Sequence, residues 1–352
     1  MPSIDSNNLR NLVKKGNVIT SENDNLSIAL ADIVPDRYKD TDRFINIVQW
    51  NMEWFGAIQS IEKDKKRFGL VVNILEALNA DLFIFQEIAG PSADGRYPGA
   101  LDKIAEELTR RGAGSYVVYY TEAGGEQRVA MMWDQQWIRA KIKVEQLFPQ
   151  GTYKTSGGKD AFAQRTPLHG FFSARFLGGG FDKFDFQALG VHLKAMKEGH
   201  AQRLRSAEVL ADWMINEAPE LTNNVLIMGD WNAPPDDPCW APFHALDNGP
   251  NAKVAFRSIN DPGDFSYLWL NNQSDQYVSR IDLSAISLAS MEQVDKGVVG
   301  DAIQWKPIED VLSEAGGNIF NNRVKTVMSQ LKDTLSDHMP TVNRFYIKPP
   351  EE

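Results

Sequence analysis

Five short segments of this chain set an ionisable or amide side chain at the end of an apolar stretch, where a rigid strand can present it to a cleft. In Trp50-Asn51-Met52-Glu53 the Asn51 amide offers an oxygen to a hard cation, or an N–H to a neighbouring carboxylate. In Phe85-Gln86-Glu87, Glu87 closes a mostly apolar run, so its carboxylate must be paired, ligated or at the surface. Gly190-Val191-His192-Leu193-Lys194 places one of only five histidines on a strand. After Leu226-Ile227-Met228 comes Gly229-Asp230-Trp231-Asn232. Asp230 and Asn232 share a face if the chain stays extended, and an acid beside an amide suits a water and a phosphate oxygen. The fifth constellation pairs Ser279-Arg280-Ile281-Asp282 with Ser336-Asp337-His338-Met339-Pro340. There Asp282 could orient the His338 imidazole, fixing its tautomer and raising its basicity.

Singly, each segment has an ordinary explanation. An Asn after a strand is usually a turn residue, and a strand-end Glu usually reaches solvent. A buried His is usually a core residue with a satisfied hydrogen bond. The combination of acids, amides and imidazoles at strand ends is what points to a catalytic cleft. Trp50, Trp54, Trp133 and Trp231 read as core or rim packing, and the Lys63–Arg67 charge run as a solvated helix start.

The elements that must carry these residues follow from periodicity. Phe44–Trp50 and Asp81–Gln86 read as buried strands, Phe68, Val71, Val72, Leu75 and Leu78 as one helical stripe, and Leu101, Ile104, Ala105 and Leu108 as another. Val117–Tyr120 and Val129–Trp133 read as strands joined by a turn at Gly124-Gly125. Gly151–Asp160 reads as a polar loop, and Gly170–Phe176 with Phe184–His192 as a hairpin around Gly178-Gly179-Gly180. Leu204, Ala207, Leu210, Ala211 and Met214 mark a third helix; Val225–Met228, Arg280–Leu288 and Val342–Ile347 complete the strands. Hairpins mixed with strand–helix units predict two packed mixed sheets with helices outside.

Composition narrows the class. The chain has 352 residues, 43% hydrophobic and 24% charged, which supports a large core rather than disorder. The single cysteine, Cys239, cannot form an internal disulfide or a cysteine zinc cage. The start Met-Pro-Ser-Ile-Asp-Ser-Asn-Asn lacks a basic, then apolar, leader, and no apolar run approaches a membrane span, so a cytoplasmic protein is expected. A net charge of −10 argues against tight non-specific binding to long nucleic acid, but leaves room for a local basic rim. Pro35 and the charged run Asp36–Asp42 predict a boundary, with residues 1–40 as an extension and 41–352 as one domain.

The motifs Trp50-Asn51-Met52-Glu53, Gln86-Glu87, Val191-His192-Leu193, Gly229-Asp230-Trp231-Asn232, Arg280-Ile281-Asp282 and Ser336-Asp337-His338 together resemble the endonuclease/exonuclease/phosphatase superfamily, the DNase I-like fold, over about residues 44–347. The resemblance implies a four-layer α/β sandwich, two packed mixed β-sheets flanked by helices, and Mg²⁺ or Mn²⁺ as cofactor. It implies Glu87 as the main metal carboxylate, with Asn51 and Asp337 in the same region. It implies His338 as the catalytic histidine with Asp282 orienting it, Asp230 and Asn232 positioning water or phosphoryl oxygens, and His192 as the second histidine of deoxyribonuclease-like and sphingomyelinase-like members. Arg165, in Gln164-Arg165-Thr166-Pro167, is similar to a phosphate-contacting arginine of several members. Where some members carry a Glu before that arginine, the natural register here gives Gln127.

These readings predict a metal-dependent phosphodiesterase, with a nucleic-acid endonuclease favoured by the two-histidine pattern and the basic stretches Lys154–Lys159 and Lys194–Arg205. The competing expectations are a phosphodiesterase or phosphatase for a phospholipid, sugar phosphate or other small phosphoester, and a binding protein of the same fold without catalysis.

Overall fold

The computed structural model describes residues 18–20, 27–29, 33–35, 45–92, 94, 96, 98–175, 180–181, 184–247, 251–256, 265–270, 276–288, 294–302 and 305–347. The expected boundary at 36–42 and the glycines 178–179 lie outside them. In chain order the elements are β1 (Val18–Thr20), β2 (Ser27–Ala29), β3 (Ile45–Phe55), α1 (Ile61–Leu78), β4 (Leu82–Ile88), α2 (Ala100–Arg111), β5 (Tyr116–Tyr120), β6 (Arg128–Asp134), β7 (Ile138–Ala140), β8 (Glu145–Gln146) and β9 (Leu168–Ala174). There follow β10 (Phe184–His192), α3 (His200–Asp212), β11 (Val225–Asp230), α4 (Ala241–Asp247), β12 (Val254–Phe256), β13 (Tyr267–Leu270), β14 (Gln276–Ser279), β15 (Asp282–Ser287), β16 (Val294–Ala302), α5 (Lys306–Glu314), α6 (Asn322–Thr334) and β17 (Thr341–Ile347).

Two mixed sheets form the centre. One runs β16-β17-β3-β4-β6-β5; the other runs β12-β15-β11-β10-β9-β7, with β8 also on β9. Each contains one parallel pair, β3 with β4 and β10 with β11, and its other pairs are antiparallel. The helical stripes read from sequence explain the outer layers. Phe68, Val71, Val72, Leu75 and Leu78 of α1 and Leu101, Ile104 and Leu108 of α2 bury against the outer face of the first sheet, together with α5 and α6. Leu210 of α3 and Phe243 of α4 bury against the second. A third cluster lies between the sheets, built from Ile45, Ile47, Leu82, Ile84, Met131, Phe172, Ala188, Leu226, Met228 and Ile286. The result is a four-layer α/β sandwich, as expected.

Side-chain alternation places the polar residues. Along β3, Ile45 and Ile47 belong to the inter-sheet core, so Gln49 and Asn51 continue the same inner row. The same parity takes Leu82 and Ile84 to Gln86 on β4, Phe186 and Ala188 to His192 on β10, and Leu226 and Met228 to Asp230 on β11. Each inner row is apolar at one end and polar at the other. In both parallel pairs the polar end is the carboxyl end, so the polar groups collect at one edge of the sandwich.

Several elements differ from the sequence reading. β11 runs through Asp230 rather than stopping before Gly229, and β15 begins at Asp282 rather than Arg280. Within the Gly151–Asp160 loop an isolated antiparallel bridge joins Lys154 with Asp160. At the N-terminal side, Ile33 and Val34 pack into the outer core, as a segment draped on the body can, and Ile33 O accepts a bond from Lys306 N at 2.8 Å.

Gly229 sits at φ 151° between β10 and β15, and a Cβ there would stand 2.0 Å from Val191 O. Gly229→Ala is therefore expected to cost more than about 2 kcal/mol, through backbone clash in a central strand. The urea midpoint of the full chain checks this; an unchanged midpoint would show that the strand can shift to make room.

Candidate active site

The two sheets bring their polar rows together. From the first sheet, Asn51 Nδ2 donates to Asp230 Oδ2 of the second at 2.9 Å. Of the two uses open to the Asn51 amide, the carboxylate contact is the one formed here; its Oδ1 also accepts from Glu53 N at 3.0 Å. His338, at the entry to β17, places Nδ1 2.8 Å from Asp282 Oδ2 on β15. Its Nε2 faces Asp230 Oδ2 at 3.9 Å and Asp337 Oδ1 at 3.9 Å. His192 Nε2 stands 3.6 Å from both Asp230 Oδ2 and Glu87 Oε1. Eight of the nine residues singled out from sequence thus join in this one set of contacts: Asn51, Glu87, His192, Asp230, Asn232, Asp282, Asp337 and His338.

Asn232 joins by a different route from the one expected. The chain does not stay extended: Asn232 adopts φ 56°, and its N–H bonds Asp230 Oδ1 at 2.9 Å. This turn sends its Nδ2 to Leu193 O at 3.0 Å. An Asn tolerates the left-handed conformation because its short polar side chain bonds locally.

Arg165 also reaches Leu193 O through Nη1, and Gln127 Oε1 through Nη2, each at 3.0 Å. Gln127 is therefore the partner of Arg165. Burial lowers the Arg165 pKa while Asp230 and Glu87 raise it, which puts its charge beside the same acids. In the basic stretch Lys194–Arg205, Arg203 is only 4% exposed and binds backbone carbonyls, so it is not a free phosphate contact.

Backbone irregularity aims the carboxylates. Glu87 has φ 57° at a register shift between β4 and β6, which turns it out of the strict alternation. Glu53 and Trp54 have φ 45° and 56° at a similar shift between β3 and β4. Arg67 holds this bend. Its Nη2 donates to Glu53 O at 2.8 Å, its Nη1 to Leu335 O, and its Nε to Asp64 Oδ1 at 2.8 Å, with the guanidinium fully buried against the Phe55 ring. The ends of β3 and of the His338 segment are thereby tied together.

Burial and neighbouring charge together set the direction of each pKa shift. Burial pushes Asp230 up to about 7, with Asp282 and Glu87 adding to it and His338 and the Asn51 bond opposing. Burial pushes Asp337 up to about 6, with Glu53 and Glu87 contributing. For His338, burial opposes the charged form, yet Asp282, Asp230 and Asp337 outweigh it and hold the imidazole well above its ordinary pKa. His192 falls well below, through burial first and then Arg165, His338 and Lys194. The two imidazoles are thus pushed in opposite directions, His338 toward its protonated form and His192 toward its neutral one.

Residues that sequence reasoning passed over complete the site. Gln49 Nε2 bonds Asp282 Oδ1 at 2.8 Å and Gln86 Oε1 at 2.6 Å; its place two residues before Asn51 on the inner row is a period-2 signal that could have found it. Tyr267 packs its ring 4.9 Å from the His338 imidazole and forms a backbone bridge with it. Ser266 Oγ accepts from Ile281 N at 3.2 Å and Asp282 N at 3.1 Å. Neither carries a local sequence signal.

The donor set fits a hard cation. Among the described residues the Glu87 and Asp337 carboxylates accept no hydrogen bond, although their side chains are only 15% and 22% exposed. Glu53 adds a third carboxylate nearby, bonded to Lys63 Nζ at 2.7 Å and to Asp337 N at 3.0 Å. Such oxygen-rich clusters suit Mg²⁺ or Mn²⁺. A separate group, His200, Asp237 and Cys239, has ligand atoms within 4.8 Å of one another. It suits a cation poorly: burial pushes the Cys239 thiol pKa up, and the Arg203 guanidinium stands 4.0 Å from Asp237.

No protein-family model and no curated protein matches this sequence. Solved structures do match. TDP2 of D. rerio complexed with single strand DNA product is 13% identical, with 86% of this chain and 99% of that one covered and a TM-score of 0.53. The human Nocturnin catalytic domain with bound sulfate anion is 14% identical over 90% of this chain and 99% of that one, with a TM-score of 0.52. An endonuclease/exonuclease/phosphatase from Bacteroides vulgatus is 12% identical over 87% and 99%, with a TM-score of 0.55. The chain has the endonuclease/exonuclease/phosphatase, or DNase I-like, fold. No helix among the described residues is long and apolar enough to cross a membrane.

The raised pKa of Asp337 gives a stability test. An acid whose folded pKa, about 6, lies above its unfolded value loses stability as pH rises between the two, because the folded protein must surrender a proton it holds more tightly. Asp337→Asn should therefore match the wild-type melting temperature near pH 4 and exceed it by about 2–5 °C at pH 7.5 in chelator. Adding Mg²⁺ should raise wild type more than the variant. A pH-independent difference would contradict the assignment.

Proposed function

We propose that this chain is a divalent-metal-dependent phosphodiesterase that cuts DNA internally by adding water to phosphorus. The observation that carries the reading is the facing of Asp230 and the Asp282-held His338, 3.9 Å apart, beside the carboxylates Glu87 and Asp337, which face the two imidazoles and accept no hydrogen bond among the described residues. Glu87, Asn51 and Asp337 would hold Mg²⁺ or Mn²⁺, which when bound supplies a Lewis acid for the phosphoryl and leaving oxygens.

The protein's own groups divide the remaining work. Asp230, with a pKa pushed up to about 7, is matched to accept a proton near neutral pH. A water beside it gives that proton to the carboxylate as its oxygen bonds phosphorus, and the P–O bond opposite breaks in line, the departing oxygen keeping the electron pair and taking a proton from solvent. His338, kept cationic by Asp282 and its neighbours, donates Nε2–H to charge building on the phosphoryl group. His192, neutral and buried, contributes an uncharged hydrogen bond, and Asn232 and Arg165 bind the remaining oxygens. Asp282 and Gln49 act by holding His338 rather than by meeting substrate.

DNA as substrate is supported by the paired histidines, by the exposed Lys194 next to His192, and by a structural neighbour complexed with single strand DNA product. The net charge of −10 is a whole-chain sum and does not describe this rim.

Supercoiled plasmid should be nicked by the purified protein with Mg²⁺ or Mn²⁺ and left intact in chelator. His338→Ala and Asp230→Asn should each lower the rate by about 10²-fold or more. Nicking that persists in chelator or in His338→Ala would sink the proposal, and inertness toward plasmid with metal present would redirect it to small phosphoesters.

A further inference from the structure

Beyond the strand that carries His192, the backbone makes an unusual excursion. Leu193 N bonds Asp230 O at 2.9 Å, and Leu193 O receives Arg165 and Asn232, so this residue belongs to the wall of the site. Three residues later Met196 adopts φ 69° and ψ 161°, a region reserved almost entirely for glycine. Its side chain is 76% exposed.

The conformation is enforced from below. The buried Arg203 donates Nη1 to Lys194 O at 2.7 Å and to Met196 O at 2.8 Å. Gly199 N also bonds Met196 O at 3.0 Å. Gly199 has no room for a side chain, since a Cβ would meet Lys194 Cγ at 2.8 Å and Arg203 Nη1 at 3.0 Å. Three hydrogen bonds and a close glycine contact therefore hold a strained, exposed methionine three residues beyond the Leu193 wall of the site. Strain that the surroundings over-determine collects at ligand-binding sites.

We propose that Met196 is a specificity residue: its thioether supplies the apolar contact for the nucleobase attached to the phosphate that is cut. This rests on the phosphodiesterase reading above. A methionine makes favourable, adaptable contacts with aromatic rings. Its exposed neighbours Lys194 and Lys197 suit the anionic backbone on either side of such a ring. A single apolar side chain between two lysines offers too little area for a lipid surface, but enough for one base.

The test compares an ordinary oligodeoxynucleotide with one of equal length whose residues are abasic tetrahydrofuran analogues. Met196→Gly should raise KM on the base-bearing strand about 2- to 10-fold, the range equivalent to a sulfur–ring contact, with kcat within about twofold. KM on the abasic strand should not move. The melting temperature should hold or rise, because glycine accepts this backbone. Met196→Leu should restore KM in part, and Met196→Ala should lose the contact without the gain in stability. Equal KM changes on both strands, or no change on either, would overturn the proposal. So would a falling melting temperature in Met196→Gly, which would make Met196 structural. If the wild type cleaves neither strand, the phosphodiesterase reading fails on its own. Fluorescence anisotropy then decides about Met196: preference for the base-bearing strand must be present in wild type and lost in Met196→Gly, and its absence overturns the contact.

Discussion

Asp282 is a carboxylate with no exposed surface, set where the two sheets meet. An isolated charge there would be prohibitively unfavourable, so its surroundings must supply donors. They come from several parts of the chain. Gln49 donates from β3 and His338 from the entry to β17, while the hydroxyl of Ser266, just before β13, fixes the Asp282 backbone by accepting its N–H. Thr341 Oγ1 donates to Gln49 Oε1 at 2.9 Å and so fixes which way that amide points. Satisfying one buried acid thus aligns both sheets and orients the imidazole. Removing the carboxylate would leave the His338 Nδ1–H without its acceptor and Gln49 with only Gln86 Oε1 to bond.

The same edge of the sandwich concentrates local conflicts. Glu53, Trp54, Glu87, Met196 and Asn232 all adopt positive φ, and Asp230 and Asp337 carry raised pKa values. Each feature is unfavourable by itself, and each is held by contacts outside it, such as Arg67 beneath Glu53 and Arg203 beneath Met196. The apolar ends of the same strands pack in the inter-sheet core. The interior supplies the stability, and the polar edge holds a geometry that a relaxed chain would abandon.

Identity to the structural neighbours cited is 12 to 14%, a level at which the fold is shared and substrate is not thereby shared. What distinguishes this chain must be sought at its rim rather than in its centre. Gln127 engages Arg165, which leaves His192 Nδ1 without a hydrogen-bond partner among the described residues. The neutral, desolvated His192 and the enforced Met196 are local features of this sequence.

Sequence periodicity determined a good deal. The helical stripes of α1 and α2, the hairpin pairs and the buried strands were legible because burial on one face or both leaves a pattern that does not depend on distant residues. The motif residues at strand ends were legible for the same reason: a polar group closing an apolar strand is an anomaly visible over a few positions. Other features depended on contacts between segments remote in the chain. Gln49 with Asp282, Tyr267 on His338 and Arg67 beneath Glu53 join residues 233, 71 and 14 positions apart, and no local pattern encodes which partner a buried polar group will find. The turn at Asn232 and the outward Met196 were equally hidden. Both arise from hydrogen bonds to backbone groups that only the packed sheets and α3 bring within reach. Sequence determined which groups stand at the strand ends; tertiary packing decided how they face one another, and in which direction the pKa of each histidine moves.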